Sequence, residues 1–125
     1  MVNGPQKTVR QKREAAGRRA ETFAVLALRL KFYRILARRY RCPVGEIDIV
    51  AARGKTVVFI EVKARRTIEQ AMESITPRQR QRITRAATAF LQSEPHLQNF
   101  LTRFDVLLIV PKRIPQHIID AWRDS

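Results

Sequence analysis

Cysteine, long apolar segments and targeting signals are all nearly absent from this sequence. Cys42 is the single cysteine in 125 residues, which excludes an internal disulfide framework and a multi-cysteine zinc site and favours a reducing compartment. The longest apolar run, residues 23–30, contains Arg29 and is too short to span a bilayer. The charged start of the chain lacks the apolar core of a secretory signal, so we expect a cytoplasmic protein.

Acidic residues are also scarce. The chain has 11 Asp and Glu against 25 Lys and Arg, a net charge of +14. A content of 45% hydrophobic residues excludes a disordered basic tail and allows one small core. The charge favours a polyanion partner, either nucleic acid or, less strongly, an anionic membrane surface. Because no aromatic residues alternate with the basic ones, we expect contacts with DNA backbone and shape rather than stacking on bases.

The hydrophobic pattern predicts one α/β domain. Residues 1–13 are expected to form a flexible basic arm, and residues 14–125 a single domain. The expected elements are a helix over 14–31, a short strand at 33–38, strands at 46–50 and 56–63 that form a hairpin, a helix from Pro77 to about Ser93 with Thr76 as its N-cap, and a buried strand at 103–110. The pattern over 114–122 is ambiguous.

The few acids cluster on the predicted hairpin. Period two places Glu61 and Lys63 on one face of the second strand and Val58, Ile60 and Val62 on the other. On the first strand, the same rule puts Glu46 and Asp48 on one face and residues 47 and 49 on the other. Charged groups on such apolar strands are costly unless they are paired or used.

A hairpin of this register can bring Asp48 beside Glu61. Two converging carboxylates repel each other, and a hard divalent cation such as Mg²⁺ relieves that repulsion through oxygen ligands. Lys63 beside the cation could stabilise charge on a phosphate or orient a water molecule.

Both predicted helices carry polar residues near their buried stripes. Glu21 shares its stripe with apolar residues three, four and seven positions later, so it is expected to point toward the core. Gln79 precedes the buried stripe of the second helix. The neighbouring basic row consists of Arg78, Arg82 and Arg85.

The order and content of these blocks resemble a known family. Asp48 followed by Glu61-Val62-Lys63 resembles the D…(D/E)-x-K signature of restriction-endonuclease-like nucleases. Together with Glu21, the segments GEIDIV at 45–50, FIEVKAR at 59–65 and RFDVLLIV at 103–110 resemble the YraN-type family of small bacterial proteins. That family is similar to archaeal Holliday-junction resolvases, and the likeness extends from about Gly17 to Trp122.

The resemblance implies a three-layer α/β/α restriction-endonuclease-like fold with a mixed central sheet. It implies Mg²⁺-dependent hydrolysis of DNA, including branched DNA, with Mn²⁺ as a substitute ion and a homodimer for symmetric cutting. Asp48, Glu61 and the carbonyl of Val62 match metal ligands, Lys63 the catalytic lysine, and Glu21 a helical acid. Arg65 and Glu46 match recurrent positions without an assigned role, and Gln79 stands where the family usually has lysine. The residues that we expect to contact nucleic acid are Arg65, Arg78, Gln79, Arg82 and Arg85.

Each assignment has a simpler alternative. Glu61 and Lys63 could lie on a solvated strand edge, and Asp48 could serve the hairpin turn. Glu21 could pair with Arg18 or Arg29, and Gln79 could complete a capping box with Thr76. The row of Arg78, Arg82 and Arg85 and the basic cluster at 34–41 could both be solvated faces. At the level of function, the alternative is a nucleic-acid-binding protein of the same fold without catalysis.

Six residues outside this constellation also carry predictions. Asp105 and Arg103 share a strand face and are expected to form a structural salt bridge. His96 and His117 have no partner at metal-binding spacing and are expected on the surface. Trp122 is expected in the core or an interface, and Cys42 is expected to be inert.

Overall fold

The computed structural model describes residues 8–123. Its helices are α1 (Val9–Leu30), α2 (Ile68–Glu73) and α3 (Pro77–Ser93), with a single 3₁₀ turn at Pro95–Leu97. Its strands are β1 (Arg34–Cys42), β2 (Gly45–Arg53), β3 (Thr56–Ala64), β4 (Leu101–Ile109) and β5 (Gln116–Trp122). None of the helices within the described range is long and apolar enough to cross a membrane.

The five strands form one mixed sheet in sequential order. β1, β2 and β3 are antiparallel neighbours, β3 and β4 are parallel, and β5 returns antiparallel to β4. A parallel pair needs a crossover connection, and the segment containing α2 and α3 supplies it. This topology confirms the predicted α/β class and its mixed central sheet.

A separate apolar cluster lies on each face of the sheet. The cluster under α1 joins the stripe of Ala24, Val25 and Leu28 to inward residues of β2, β3 and β4. The cluster under α3 contains Ile83 and Phe90 and includes stacked aromatic rings from the sheet. The helices therefore cover both faces and give the three layers that were expected.

Local signals explain where α3 begins and how closely it packs. Thr76 accepts a hydrogen bond from the amide of Gln79, and Pro77 occupies the first turn, as predicted. At its start, β2 passes so close to α3 that a Cβ on Gly45 would collide with the carbonyl oxygen of Arg82. Glycine at position 45 therefore lets α3 approach the strand that carries Asp48.

The C-terminus of α1 is a Schellman motif with an unusual residue in it. The amide of Phe32 donates to the carbonyl of Arg29, and that of Tyr33 donates to the carbonyl of Leu28, both at 3.0 Å. Phe32 has a φ of +68° where glycine is usual, and its side chain is 85% exposed. Tyr33 and Leu28 belong to the same apolar cluster, which completes the motif.

The main sequence-predicted elements are confirmed, and their boundaries differ at several points. α1 begins at Val9, so residues 9–13 of the predicted arm are helical, while residues 1–7 of that arm lie outside the described residues. The ambiguous C-terminal segment forms strand β5. The hydrophobic pattern does not predict α2, which is only six residues long and is capped by Thr67.

The prediction that His117 lies on the surface is wrong. Its side chain is 2% exposed, and its Nε2 lies 2.6 Å from Asp105 Oδ2. Asp105 is fully buried and also accepts two hydrogen bonds from Arg103, at 2.9 and 2.8 Å, and one from the amide of Asp120. The predicted Arg103–Asp105 salt bridge is therefore part of a larger network that joins β4 to β5. Trp122 is in the core, stacked on Phe104.

Candidate functional site

Strands β2 and β3 separate near Asp48. Their ladder runs from the pair Arg53–Thr56 to the pair Ile49–Ile60. Beyond that point, Asp48 Oδ2 accepts a hydrogen bond from the amide of Val62 at 2.8 Å. A carboxylate therefore takes an amide hydrogen bond at the position where backbone pairing stops.

The alternation of β2 also breaks at Asp48. Ile47 packs in the cluster under α3, whereas Ile49 packs in the cluster under α1. The expectation that these two isoleucines share a face, with Glu46 and Asp48 opposite, is therefore wrong. The physical reason is a local irregularity in β2 that switches which residues face each side of the sheet, and a strict period of two does not describe such an irregularity.

The alternation of side chains between the two faces also shifts in the neighbouring strand β1, at the same point. Ala37 and Tyr40 both pack against the cluster under α3, although they are three residues apart. Between them, Arg39 has a φ of +51°. Because Arg38 pairs with Ile49 and Tyr40 with Ile47, the register puts Arg39 opposite Asp48.

Glu61 is buried at the end of β3 nearest to this break. It is 7% exposed, accepts a hydrogen bond from Gln79 Nε2 at 3.0 Å, and lies 3.3 Å from Lys63 Nζ. Burial and the negative charge of Asp48 raise the pKa of Glu61 to about 7, although Lys63 opposes the shift. The burial of Glu61 and Lys63 argues against the alternative of a solvated strand edge.

The surroundings of Asp48 also raise its pKa. Burial raises the pKa of Asp48, the hydrogen bond from the Val62 amide lowers it, and the charge of Glu21 raises it further. Glu61, which is buried, and Asp48, which is half-buried, therefore disfavour each other's charged form beside a single ammonium group.

Glu21 points inward from α1, as its stripe predicted, and is 6% exposed. Its Oε2 accepts a hydrogen bond from Arg39 Nε at 2.9 Å, and its Oε1 lies 4.0 Å from Arg38 Nε. The partners are therefore on β1 rather than Arg18 or Arg29. The sequence pattern does not predict Arg38 and Arg39 as partners of Glu21, and the signal that points to them is the segment 29–41, which has six basic residues and no acid.

A cleft of about 830 Å³ lies between α1 and the sheet, next to these side chains. Glu21, Asp48, Val62 and Lys63 line it together with Arg65. The other charged residues along its walls are Glu14, Arg18, Arg39, Arg41 and Glu46.

The α3 side has a smaller pocket next to the same centre. Glu61, Gln79, Arg78 and Arg82 line it, and Glu46 borders both pockets. Arg85 is exposed on α3 but is not part of either lining. The structure thus brings Arg78 and Arg82 close to Glu61 and Arg65 close to Lys63, and leaves Arg85 at the margin.

The donor set at this centre fits a hard divalent cation. Asp48 and Glu61 offer carboxylate oxygens whose mutual repulsion a cation would relieve, and Glu21 Oε1 is buried with no hydrogen-bond partner in the described part of the chain. Within residues 8–123, no three Asp, Glu, His or Cys side chains converge as a metal-binding group. A cation here would therefore rely on two carboxylates, a main-chain oxygen and water.

Comparison with known proteins gives one consistent family. The model of the uncharacterised protein family UPF0102 matches residues 20–109. A UPF0102 protein of Parvibaculum lavamentivorans is 53% identical over 107 residues, covering 86% of this chain and 80% of that protein. A UPF0102 protein of Paramagnetospirillum magneticum is 49% identical over 127 residues, covering 98% of each chain. These matches confirm the YraN-type resemblance, and the chain belongs to the uncharacterised protein family UPF0102.

Proposed function

We propose that this protein is a metal-dependent endonuclease that hydrolyses phosphodiester bonds in DNA. The observation that carries the proposal is the pair of carboxylates of Glu61, which is buried, and Asp48, which is half-buried, each with a raised pKa, beside the half-buried Lys63. Strongly perturbed groups beside surface clefts are typical of catalytic sites, and here Asp48 and Lys63 line the larger cleft while Glu61 lines the adjoining pocket. The D…(D/E)-x-K resemblance assigns the same three residues to phosphodiester hydrolysis.

In this proposal, Asp48, Glu61 and the carbonyl oxygen of Val62 hold Mg²⁺, with Mn²⁺ as a substitute. The ion supplies Lewis acidity and lowers the pKa of a bound water. The ammonium of Lys63 stabilises the negative charge that builds on the phosphate oxygens during attack. The amide of Gln79 holds Glu61 in place through the 3.0 Å hydrogen bond.

The substrate class follows from charge and from the resemblance. A net charge of +14 and arginines on both sides of the centre suit a phosphate backbone. Arg65 lies on the cleft side and Arg78 and Arg82 on the α3 side, so a DNA strand crossing the centre would meet guanidinium groups on either flank. Arg85 would extend that contact along α3. Branched DNA and a symmetric homodimer rest on the resemblance to resolvases.

A nucleic-acid-binding protein without catalysis is the second candidate. Two observations favour it: Gln79 replaces the usual lysine of the family, and no third carboxylate joins Asp48 and Glu61 as a metal-binding group in the described part of the chain. This candidate keeps the basic surfaces and assigns Glu61 and Lys63 to a structural ion pair.

Cleavage of labelled four-way junction, flap, duplex and single-stranded DNA in Mg²⁺, Mn²⁺ and EDTA tests the proposal. Wild type should cut at least one substrate in metal, and Glu61→Gln should bind it but not cut. Glu46→Gln is the matched control, because it removes an exposed carboxylate that lines the same cleft and that, among residues 8–123, forms an ion pair only with Arg41. Tight binding without cutting in either metal, with all three proteins alike, would favour the binding protein instead.

A further inference from the structure

Arg39 has a backbone conformation that an arginine rarely adopts. Its φ of +51° lies in the left-handed region, which is uncommon for residues other than glycine, asparagine and aspartate. The residue lies inside strand β1, opposite Asp48 by register. Such strain persists only where the surrounding structure maintains it, and it is concentrated at functional sites.

The distortion directs two consecutive arginines toward one carboxylate. Arg38 and Arg39 are both exposed, which breaks the alternating burial of β1, and both lie near Glu21, at 4.0 and 2.9 Å. The side chain of Arg39 is 39% exposed, whereas that of Glu21 is 8% exposed. A guanidinium that solvent and solutes can reach therefore neutralises a carboxylate that they hardly reach.

Glu21 has unused capacity to bind a cation. Its Oε1 is buried and has no hydrogen-bond partner among residues 8–123, and its charge acts on Asp48 across the cleft. Arg39 holds the other oxygen. If Arg39 were removed, the carboxylate of Glu21 would become an unpaired buried charge beside Asp48. A bound cation is the simplest way to compensate that charge.

We propose that Arg39 is a positioning residue that keeps Glu21 from the cation site until a phosphate of the substrate binds the Arg39 guanidinium. Arginine forms bidentate hydrogen bonds with phosphate as readily as with carboxylate, so DNA entering the cleft competes with Glu21 for the same group. The released carboxylate then joins Asp48 and Glu61. The inference rests on the proposed function and adds to it a coupling between substrate binding and metal binding.

The coupling predicts that removing either partner frees the other for its own ligand, Glu21 for the cation and Arg39 for phosphate. In the absence of DNA, Arg39→Asn should tighten Mn²⁺ binding at least about fivefold, and adding Glu21→Gln should abolish the gain. Asparagine tolerates the left-handed conformation, so it removes the guanidinium with little added strain. Arg41→Asn is the matched control, because the Arg41–Glu46 pair, at 3.5 Å, lines the same cleft.

DNA binding in EDTA supplies the second readout. Glu21→Gln should tighten binding of a DNA duplex at least about fivefold, because Arg39 is then free for phosphate. In the Arg39→Asn background the same substitution should have no effect. Glu46→Gln removes an equal charge from the cleft and reports the nonspecific electrostatic gain, which should be smaller.

The outcomes separate this inference from the proposed function. If wild type binds Mn²⁺ and cuts DNA but Arg39→Asn leaves Mn²⁺ binding unchanged or weaker, the role of Arg39 is overturned and the nuclease stands. A gain from Glu21→Gln that persists without Arg39 would overturn it as well. If wild type binds no Mn²⁺ and cuts no DNA, the proposed function fails and the inference fails with it.

Discussion

The side-chain amide of Gln79 donates to Glu61 Oε1 at 3.0 Å, while its backbone amide donates to Thr76 Oγ1 at 3.2 Å. A capping box would also return the glutamine side chain to the N-cap backbone, as Gln11 does for Thr8 in α1. In α3 only the half that uses the Gln79 backbone is formed. The Gln79 side chain is thus committed to Glu61, and the cap does not depend on it.

Replacing Gln79 and Thr76 by alanine should therefore separate function from stability. Gln79→Ala should lower the single-turnover cleavage rate by about tenfold or more, because Glu61 loses the group that orients it, and should change stability little. Thr76→Ala should lower the free energy of unfolding by about 1 kcal/mol and leave the cleavage rate nearly unchanged. Urea denaturation and single-turnover kinetics measure the two effects. Equal losses of stability in both variants would contradict this separation.

Glu61→Gln should stabilise the metal-free protein at neutral and alkaline pH. Because the pKa of Glu61 is raised to about 7 and the unfolded chain has an ordinary glutamate pKa, ionisation costs stability as pH rises above about 4.5. In EDTA, urea denaturation should show no gain for the variant near pH 4 and a gain of about 1–3 kcal/mol at pH 8.

Mg²⁺ at pH 8 should reduce the difference in free energy of unfolding between Glu61→Gln and wild type, because it should stabilise wild type alone. Glu46 is exposed, so Glu46→Gln should show neither the pH dependence nor the loss of the Mg²⁺ response. A Glu61→Gln protein that is less stable than wild type at pH 8 in EDTA would contradict the claim that ionised Glu61 destabilises the metal-free fold.

The Asp105 network should contribute stability that is lost in acid. Burial raises the pKa of Asp105, but hydrogen bonds from His117, Arg103 and the Asp120 amide outweigh it and hold that pKa below its ordinary value. The contribution is therefore complete above the ordinary aspartate pKa of about 4 and disappears as pH falls through the lower folded value. Wild-type stability measured by urea denaturation should fall below about pH 4.

Asp105→Asn should lower the free energy of unfolding by about 3–5 kcal/mol at pH 7, because Arg103 keeps a guanidinium without its carboxylate. The difference from wild type should shrink as pH falls below about 4. A variant as stable as wild type at pH 7 would show that the network contributes nothing net.

Phe32→Gly should stabilise the fold. Glycine removes the cost of the left-handed conformation at the Schellman position, roughly 1 kcal/mol, and an 85% exposed side chain gives up little packing. Leu26→Gly is the control, since Leu26 is 51% exposed in the interior of α1 and glycine there should cost about 1 kcal/mol or more. Thermal unfolding measures both, and a lower melting temperature for Phe32→Gly would be evidence against the argument.

The predictable part of the site is the part that local alternation determines. Period two along β3 places Glu61 and Lys63 on the face opposite Val58, Ile60 and Val62, and the structure confirms that placement. The face of Asp48 could not be predicted in this way, because the irregularity in β2 accompanies the left-handed Arg39 on a different strand. No glycine or asparagine at position 39 marks that conformation in the sequence.

Partners that are distant in sequence were also beyond reach. The burial of His117 depends on pairing between β4 and β5, which brings it to Asp105, 12 residues earlier. Likewise, Glu21 was recognised as inward-facing from its helical stripe, but its partner Arg39 is 18 residues away on β1. Periodicity identifies the face of a residue, and only tertiary packing identifies its partner.

The most direct test of the central claim is a crystal of the wild-type protein soaked in Mn²⁺ and measured for anomalous scattering. The account predicts an anomalous peak within about 2.5 Å of one oxygen of Asp48, one oxygen of Glu61 and the carbonyl oxygen of Val62. The same soak of Glu61→Gln should lose the peak. A crystal with no Mn²⁺ between Asp48 and Glu61, and with Lys63 still paired to Glu61 at about 3.3 Å, would contradict the claim that these carboxylates form a cation site.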